Sequence, residues 1–161
     1  MEKISYNPIG IIHSSYKQMK GVPIQGALSK NSSGKVEVFP EYESGLKDLE
    51  GFSHIILLYH FHLVKGYSLQ SKPFLENKKR GIFAIRSPKR PNPIGFSIVK
   101  LEKMVGNVLY ISEVDIIDGS LLLDIKPYVS KFDVRTDTKD GWLTKKMMEA
   151  REHRADNRYS P

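Results

Sequence analysis

Along most of this chain, apolar residues recur at every second position or in short unbroken runs, the pattern of strands rather than helices. Lys35-Val-Glu-Val-Phe39 alternates at period two after a turn at Ser33-Gly34, and Ile9-Gly-Ile-Ile12 is a short apolar run. His54 to His62 (HIILLYHFH) is long, β-branched and aromatic. Gly81 to Arg86, Gly95 to Met104, Val108 to Asp115 and Leu121 to Ile125 complete seven strand candidates. Val105-Gly106-Asn107 and Asp118-Gly119-Ser120 carry turn chemistry between them. Helical spacing is confined to Glu41–Leu49 and Leu143–Arg154. Many strands at short spacing predict an all-β domain, an antiparallel barrel or sandwich with a few short helices. No GxGxxG loop joins a strand to a helix, which argues against a nucleotide-binding βαβ fold.

Composition sharpens this picture in two places. The chain has 161 residues, enough for one domain with a real core, and no cysteine, which excludes disulfides, thiolate zinc sites and cysteine nucleophiles. No stretch approaches the ~18 apolar residues of a membrane span, and MEKISYNPIG has no apolar signal core, so a soluble cytoplasmic protein is expected. The net charge of +7 is local: Lys78 to Lys103 holds eight basic residues and one acid, and the remainder is neutral. Such a segment suits an anionic partner, most simply nucleic acid held by its phosphates, or equally a solvated loop that aids solubility.

Candidate chemistry clusters in three places. Arg86 to Ser97 (RSPKRPNPIGFS) has prolines at 88, 91 and 93, which exclude helix and stiffen a loop presenting Arg86, Lys89, Arg90 and Asn92. That loop is either a rigid connector or a preorganised binding element. In Glu113 to Tyr128 (EVDIIDGSLLLDIKPY), Asp115, Asp118 and Asp124 lie in or beside apolar strands, where a carboxylate must be paired. Asp124 and Lys126 are expected to pair on one face, whereas Asp118 belongs either to a turn or to a site. His54, His60 and His62 share parity and suit a metal site, half-buried packing or cofactor contacts.

Four strings in this order, IGIIHS, GFSHIILLYHFH, GIFAIRSPKRPNPIGFS and DIIDGSLLLDIKPY, resemble the TsaA-like (YaeB/TrmO) family of β-barrel S-adenosylmethionine-dependent tRNA methyltransferases. The resemblance spans Tyr6 to Tyr128 and implies a closed antiparallel β-barrel with a few short helices over residues 1–130. The remaining residues, 131–161, would form a helical or extended tail packing on the barrel or on a partner subunit, with Trp142 as an anchor. It implies N6-methylation of N6-threonylcarbamoyladenosine next to the tRNA anticodon, by a homodimer whose cofactor pocket lies near the interface. S-adenosylmethionine would touch Ile24, Gln25, Gly26, His62, Leu63, Arg86, Phe96, Ile116, Ile117, Asp118 and Gly119. Ile24 stands where many members have a basic residue and Leu121 where proline is frequent, and the chain is shorter than the bacterial members with an extra C-terminal domain.

Within that resemblance, Asp118 is the candidate to orient the acceptor nitrogen or take its proton. Lys78, Lys79, Arg80, Lys89 and Arg90 are the candidate tRNA-phosphate contacts. No metal is expected on this reading. Two other classes compete with it: a non-catalytic RNA-binding β-barrel, and a metal-dependent barrel enzyme built on His54, His60 and His62.

Overall fold

The computed structural model describes residues 2–23, 32–144 and 146. Among these, eight strands follow in chain order: β1 (Gly10–Ser14), β2 (Ser33–Val38), β3 (His54–His60), β4 (Gln70–Ser71), β5 (Arg80–Gly81), β6 (Ile94–Val105), β7 (Val108–Ser112) and β8 (Ser120–Pro127). Six close an antiparallel barrel in the order β1-β2-β7-β6-β3-β8, and β8 pairs back to β1 with Ile12 opposite Ser120. The short β4 and β5 pair only with each other. No described helix is long and apolar enough to cross a membrane.

Period-two alternation fills the barrel. Ile55, Leu57 and Tyr59 of β3 point inward with Val99 of β6, Leu109 and Ile111 of β7, Val36 and Val38 of β2, Ile12 and Leu122. One irregularity is essential to that packing. Leu58 faces Asp124 and Tyr59 faces Leu122, so Leu123 is an extra residue without a partner on β3. This bulge resets the alternation of β8. Leu122 and Ile125 both reach the core, while Asp124 and Lys126 share the outer face with 2.7 Å between Nζ and Oδ2.

Several sequence expectations change in the fold. Gly81 to Arg86 is not a strand: Arg80–Gly81 pairs briefly, and Ile82–Ala84 forms a 3-10 turn. The physical reason is a burial repeat of three, with Ile82 and Ile85 at 1% and 7% exposure and Phe83 between them at 78%. The strand expected to reach His62 ends at His60, and the one expected to reach Asp115 ends at Ser112, where Glu113 adopts φ +63°. Glu41–Leu49 folds as 3-10 turns, Pro40–Leu46 and Leu49–Gly51, split by Asp48 at φ +67°. The helix expected over Leu143–Arg154 falls almost wholly outside the described residues; Gly141–Leu143 is a single 3-10 turn. Within it, Trp142 Nε1 donates to the Ala84 carbonyl at 2.9 Å.

Gly95 is opposite Tyr59 on the inner wall, and a Cβ there would lie 2.3 Å from the ring. Only glycine lets the phenol lie across β6. Gly95→Ala should therefore cost about 1–3 kcal/mol, the usual penalty for overpacking a filled core. The check is a denaturant melt, in which the midpoint falls while the slope is kept; an unchanged midpoint would mean the ring can move aside.

Candidate active site

The strand ends assemble a cleft at the mouth of the barrel where β3 finishes and β8 begins. It is partly open to solvent, and the space between its walls, counted with its open mouth, is about 590 Å³. Its walls are mostly apolar: Met19 and Val22 from the β1–β2 connection, Phe61 and Leu63 after β3, and Ile116 and Ile117 before β8. Buried Pro88 adds the proline-rich loop, which is pinned by a hydrogen bond from Phe61 N to the Pro93 carbonyl at 2.8 Å. Polar groups in the lining are few, and they sit together: Tyr59, His62, Asp115 and Ser120. An apolar shell with a few convergent polar groups is the usual build of a small-molecule site.

Two of these groups, Tyr59 and Asp115, are joined through Ser97 in a directed chain of two hydrogen bonds. Ser97 Oγ donates to Asp115 Oδ1 at 2.5 Å. Its single hydrogen is thereby used, so Tyr59 OH, 3.1 Å from Ser97 Oγ, is the donor in the second bond. Tyr59 and Ser97 are both only 4% exposed. Burial first, and then the charge of Asp115, push the phenol far above its ordinary value, against the opposing Ser97 bond, so it stays protonated. Asp115 was legible only as a costly carboxylate in an apolar run. Tyr59 and Ser97 gave no sequence signal beyond polar atoms at inward-facing positions.

The other carboxylate in this segment serves a different place. Asp118 Oδ1 accepts from Ser14 N at 3.0 Å, and Oδ2 lies 2.7 Å from Lys17 Nζ. The Lys17 hydrogen bond, with the Ser14 N–H and nearby His13, holds its carboxyl below the usual range. It lines a second, shallower concavity with His13, Lys35 and Tyr110 rather than the first cleft. Its backbone does shape the cleft: Asp118 N donates to Tyr16 O and Gly119 N to Ile12 O, both at 2.8 Å. Gly119, at φ +77°, makes the turn that returns the chain into β8.

Of the remaining candidates, His62, Leu63, Ile116 and Ile117 line the cleft. Ile24, Gln25 and Gly26 lie outside the described residues. Arg86 and Phe96 are exposed neighbours outside the cleft lining, with the guanidinium 6.0 Å from the ring centroid. Lys78 and Lys79 are exposed, whereas Arg80 is paired with Glu76 at 2.8 Å and lies over the Trp142 ring. Arg90 Nη1 donates to the carbonyls of Ile85 (3.0 Å) and Ser87 (3.1 Å), and Ser87 Oγ accepts from Lys89 N. The three-histidine alternative fails on geometry. His54 and His60 begin and end β3, His62 lies past its end, and no three His, Asp or Glu among the described residues are placed to share a metal. His54 instead contacts Ser53 Oγ and packs edge-on against Tyr128.

The model of the tRNA-methyltransferase O N-terminal domain matches residues 11–134. The chain belongs to this family. It is 54% identical over 156 residues to a probable S-adenosyl-L-methionine-binding protein of Pyrococcus abyssi, covering 97% of this chain and 85% of that one. It is 39% identical to the tRNA (adenine(37)-N6)-methyltransferase of Mus musculus, over 78% of this chain but 31% of the mouse protein. A crystal structure of TrmO from Pseudomonas aeruginosa superposes with a TM-score of 0.75 at 34% identity, covering 88% of this chain and 63% of that one. The chain thus spans most of its archaeal relative and less than two thirds of the bacterial and mammalian ones. The tRNA-methyltransferase O match covers every described wall of the cleft.

Asp118 has a stability signature. Because its folded pKa is depressed, the unfolded chain binds the proton more readily, and the ion pair stabilises the fold above the ordinary aspartate value of 3.8. That contribution is lost as pH falls through the folded value. Asp118→Asn should be less stable than wild type at pH 7, and the gap should close in acid. Melting curves from pH 7 to 2.5 check this; a gap that persists at the acid end would trace the loss to packing instead.

Proposed function

We propose that this chain transfers the methyl group of S-adenosylmethionine to N6 of N6-threonylcarbamoyladenosine next to the anticodon of tRNA. The observation that carries this is the mouth cleft in a tRNA-methyltransferase O domain: apolar walls, a half-buried carboxylate and an imidazole in the same lining. The residues present suit the cofactor. Ile116, Ile117 and Leu63 offer faces for a purine and ribose, and Asp115 supplies negative charge for a cationic ligand. When bound, S-adenosylmethionine supplies a methyl group on a sulfonium sulfur, open to in-line attack. The chain's own part is to exclude water, align the acceptor nitrogen and handle its proton. Asp118, with its carboxylate held ionised by Lys17, is a weak base; it orients the Ile116–Gly119 turn.

Arg86 meets the cofactor's polar end, next to Phe96, and the family resemblance adds Ile24, Gln25 and Gly26, which lie outside the described residues, to the cofactor contacts. Lys78, Lys79 and Lys89 meet tRNA phosphates, with Arg80 and Arg90 acting from the hydrogen bonds that hold them. A second copy packs near the cleft, a reading supported by the exposure of Ile94, Phe96 and Phe83. Early in the 131–161 tail, Trp142 packs against the Ile82–Ala84 turn through its bond to the Ala84 carbonyl, the first contact of a tail that meets the barrel or a partner subunit. A tRNA substrate places this work in the cytoplasm.

Calorimetric titration with S-adenosylmethionine tests the pocket. Wild type should bind saturably, and Arg86→Ala should bind about tenfold or more weakly, as expected for loss of a charged hydrogen bond. Purified protein should then methylate tRNA carrying threonylcarbamoyladenosine and leave tRNA lacking it untouched. RNA affinity without cofactor binding would instead favour the non-catalytic barrel.

The basic segment has its own test. Replacing Lys78, Lys79 and Lys89 together by Ala should weaken tRNA binding and lower the slope of log affinity against log salt by about two. A full slope in the triple variant would remove these lysines from the interface.

A further inference from the structure

We infer that His62, a lining residue of the cleft, is the proton acceptor of the methyl transfer, its Nε2 beside the Gly119 turn left with a free lone pair because Ser120 fixes its tautomer. This rests on the methyltransferase reading above. Ser120 Oγ has one hydrogen, and it donates that hydrogen to the Ile117 carbonyl at 2.7 Å, a group that can only accept. The same oxygen lies 3.3 Å from His62 Nδ1, so in this contact the imidazole is the donor. A neutral ring with its hydrogen on Nδ1 has its lone pair on Nε2. Nε2 lies beside the turn: a Cβ built on Gly119 would sit 4.0 Å from it, and glycine leaves that approach uncovered.

The electrostatics agree with this role. Burial first, and then His60, lower the His62 pKa, and Asp118 opposes them from the β7–β8 turn; Asp115 lines the same cleft. The ring is therefore neutral near pH 7, where a base is most useful. Both carboxylates of the region accept hydrogen bonds elsewhere, Asp115 from Ser97 and Asp118 from Ser14 and Lys17. His62 Nε2 takes the acceptor's N–H hydrogen as a proton. The electron pair of that bond stays on nitrogen, which bonds to the methyl carbon as the old C–S pair passes to sulfur. The imidazolium then loses its proton to solvent.

The first readout needs neither cofactor nor RNA. Nitrogen-15 spectra of histidine-labelled protein should show His62 as the Nδ1–H tautomer titrating below 6.5, the ordinary value; an Nε2–H tautomer would overturn the proposal. Ser120→Ala should mix the two tautomers. For kinetics, His62→Gln should lose about 10²–10⁴ in rate, far more than it loses in S-adenosylmethionine affinity as a lining residue, and should lose the acid limb of the wild-type pH–rate profile. A variant that keeps the acid limb, or whose cofactor affinity falls in step with its rate, would overturn the proposal while leaving the methyltransferase intact. Wild type that methylates no tRNA would instead defeat the functional reading on which it stands.

Discussion

The hydrogen bond from Ser97 to Asp115 ties the interior of β6 to the irregular stretch that follows β7, and the cleft depends on that tie. Beyond Ser112 the chain leaves the ladder through Glu113 in a left-handed conformation, and no strand partner holds it until Ser120. Three residues of this stretch, Asp115, Ile116 and Ile117, reach the cleft. A carboxylate set among Val114, Ile116 and Ile117 would be costly if unpaired, so its pairing to Ser97, backed by Tyr59, selects one path for the segment. The polar chain thus determines the shape of an otherwise greasy wall. It also makes the barrel floor and the binding surface a single unit.

Much of the barrel was readable because burial on one face imposes period two, and the β2, β3, β6 and β7 patterns follow it closely. Reading failed where burial follows another rule. Ile82 and Ile85 are apolar for a 3-10 turn, and a short run cannot distinguish that turn from a strand. The bulge at Leu123 was invisible for a related reason: LLLDI reads as continuous strand whether or not one residue is skipped. For the site, four residues that the resemblance implied, His62, Leu63, Ile116 and Ile117, line the cleft, but the resemblance could not tell which way Asp118 turns. That depends on Lys17 and the Ser14 N–H, roughly a hundred residues away in sequence.

The basic segment also changes meaning once folded. Counting charges treats Arg80 and Arg90 as equivalent to Lys78 and Lys79. Yet Arg80 is shared between Glu76 and Trp142, and Arg90 clamps the carbonyls of the loop that carries it. A planar guanidinium with several donors suits such bracing, whereas a lysine ammonium is a mobile point charge. Part of the local excess therefore stiffens the scaffold, and the cations facing solvent are fewer and more lysine-like than the count implies.

Closure of the six-strand sheet has a consequence for how copies of this chain can meet. With β8 bonded back to β1, the barrel presents no raw edge on which another strand could template, so stacking by strand addition is denied to it. Among the described strands, only the two-residue β4–β5 ribbon keeps open edges, and it is too short to seed a fibre. Self-association must proceed through side chains and loops, where charge and shape can discriminate. The described barrel is thereby protected from the least selective form of aggregation.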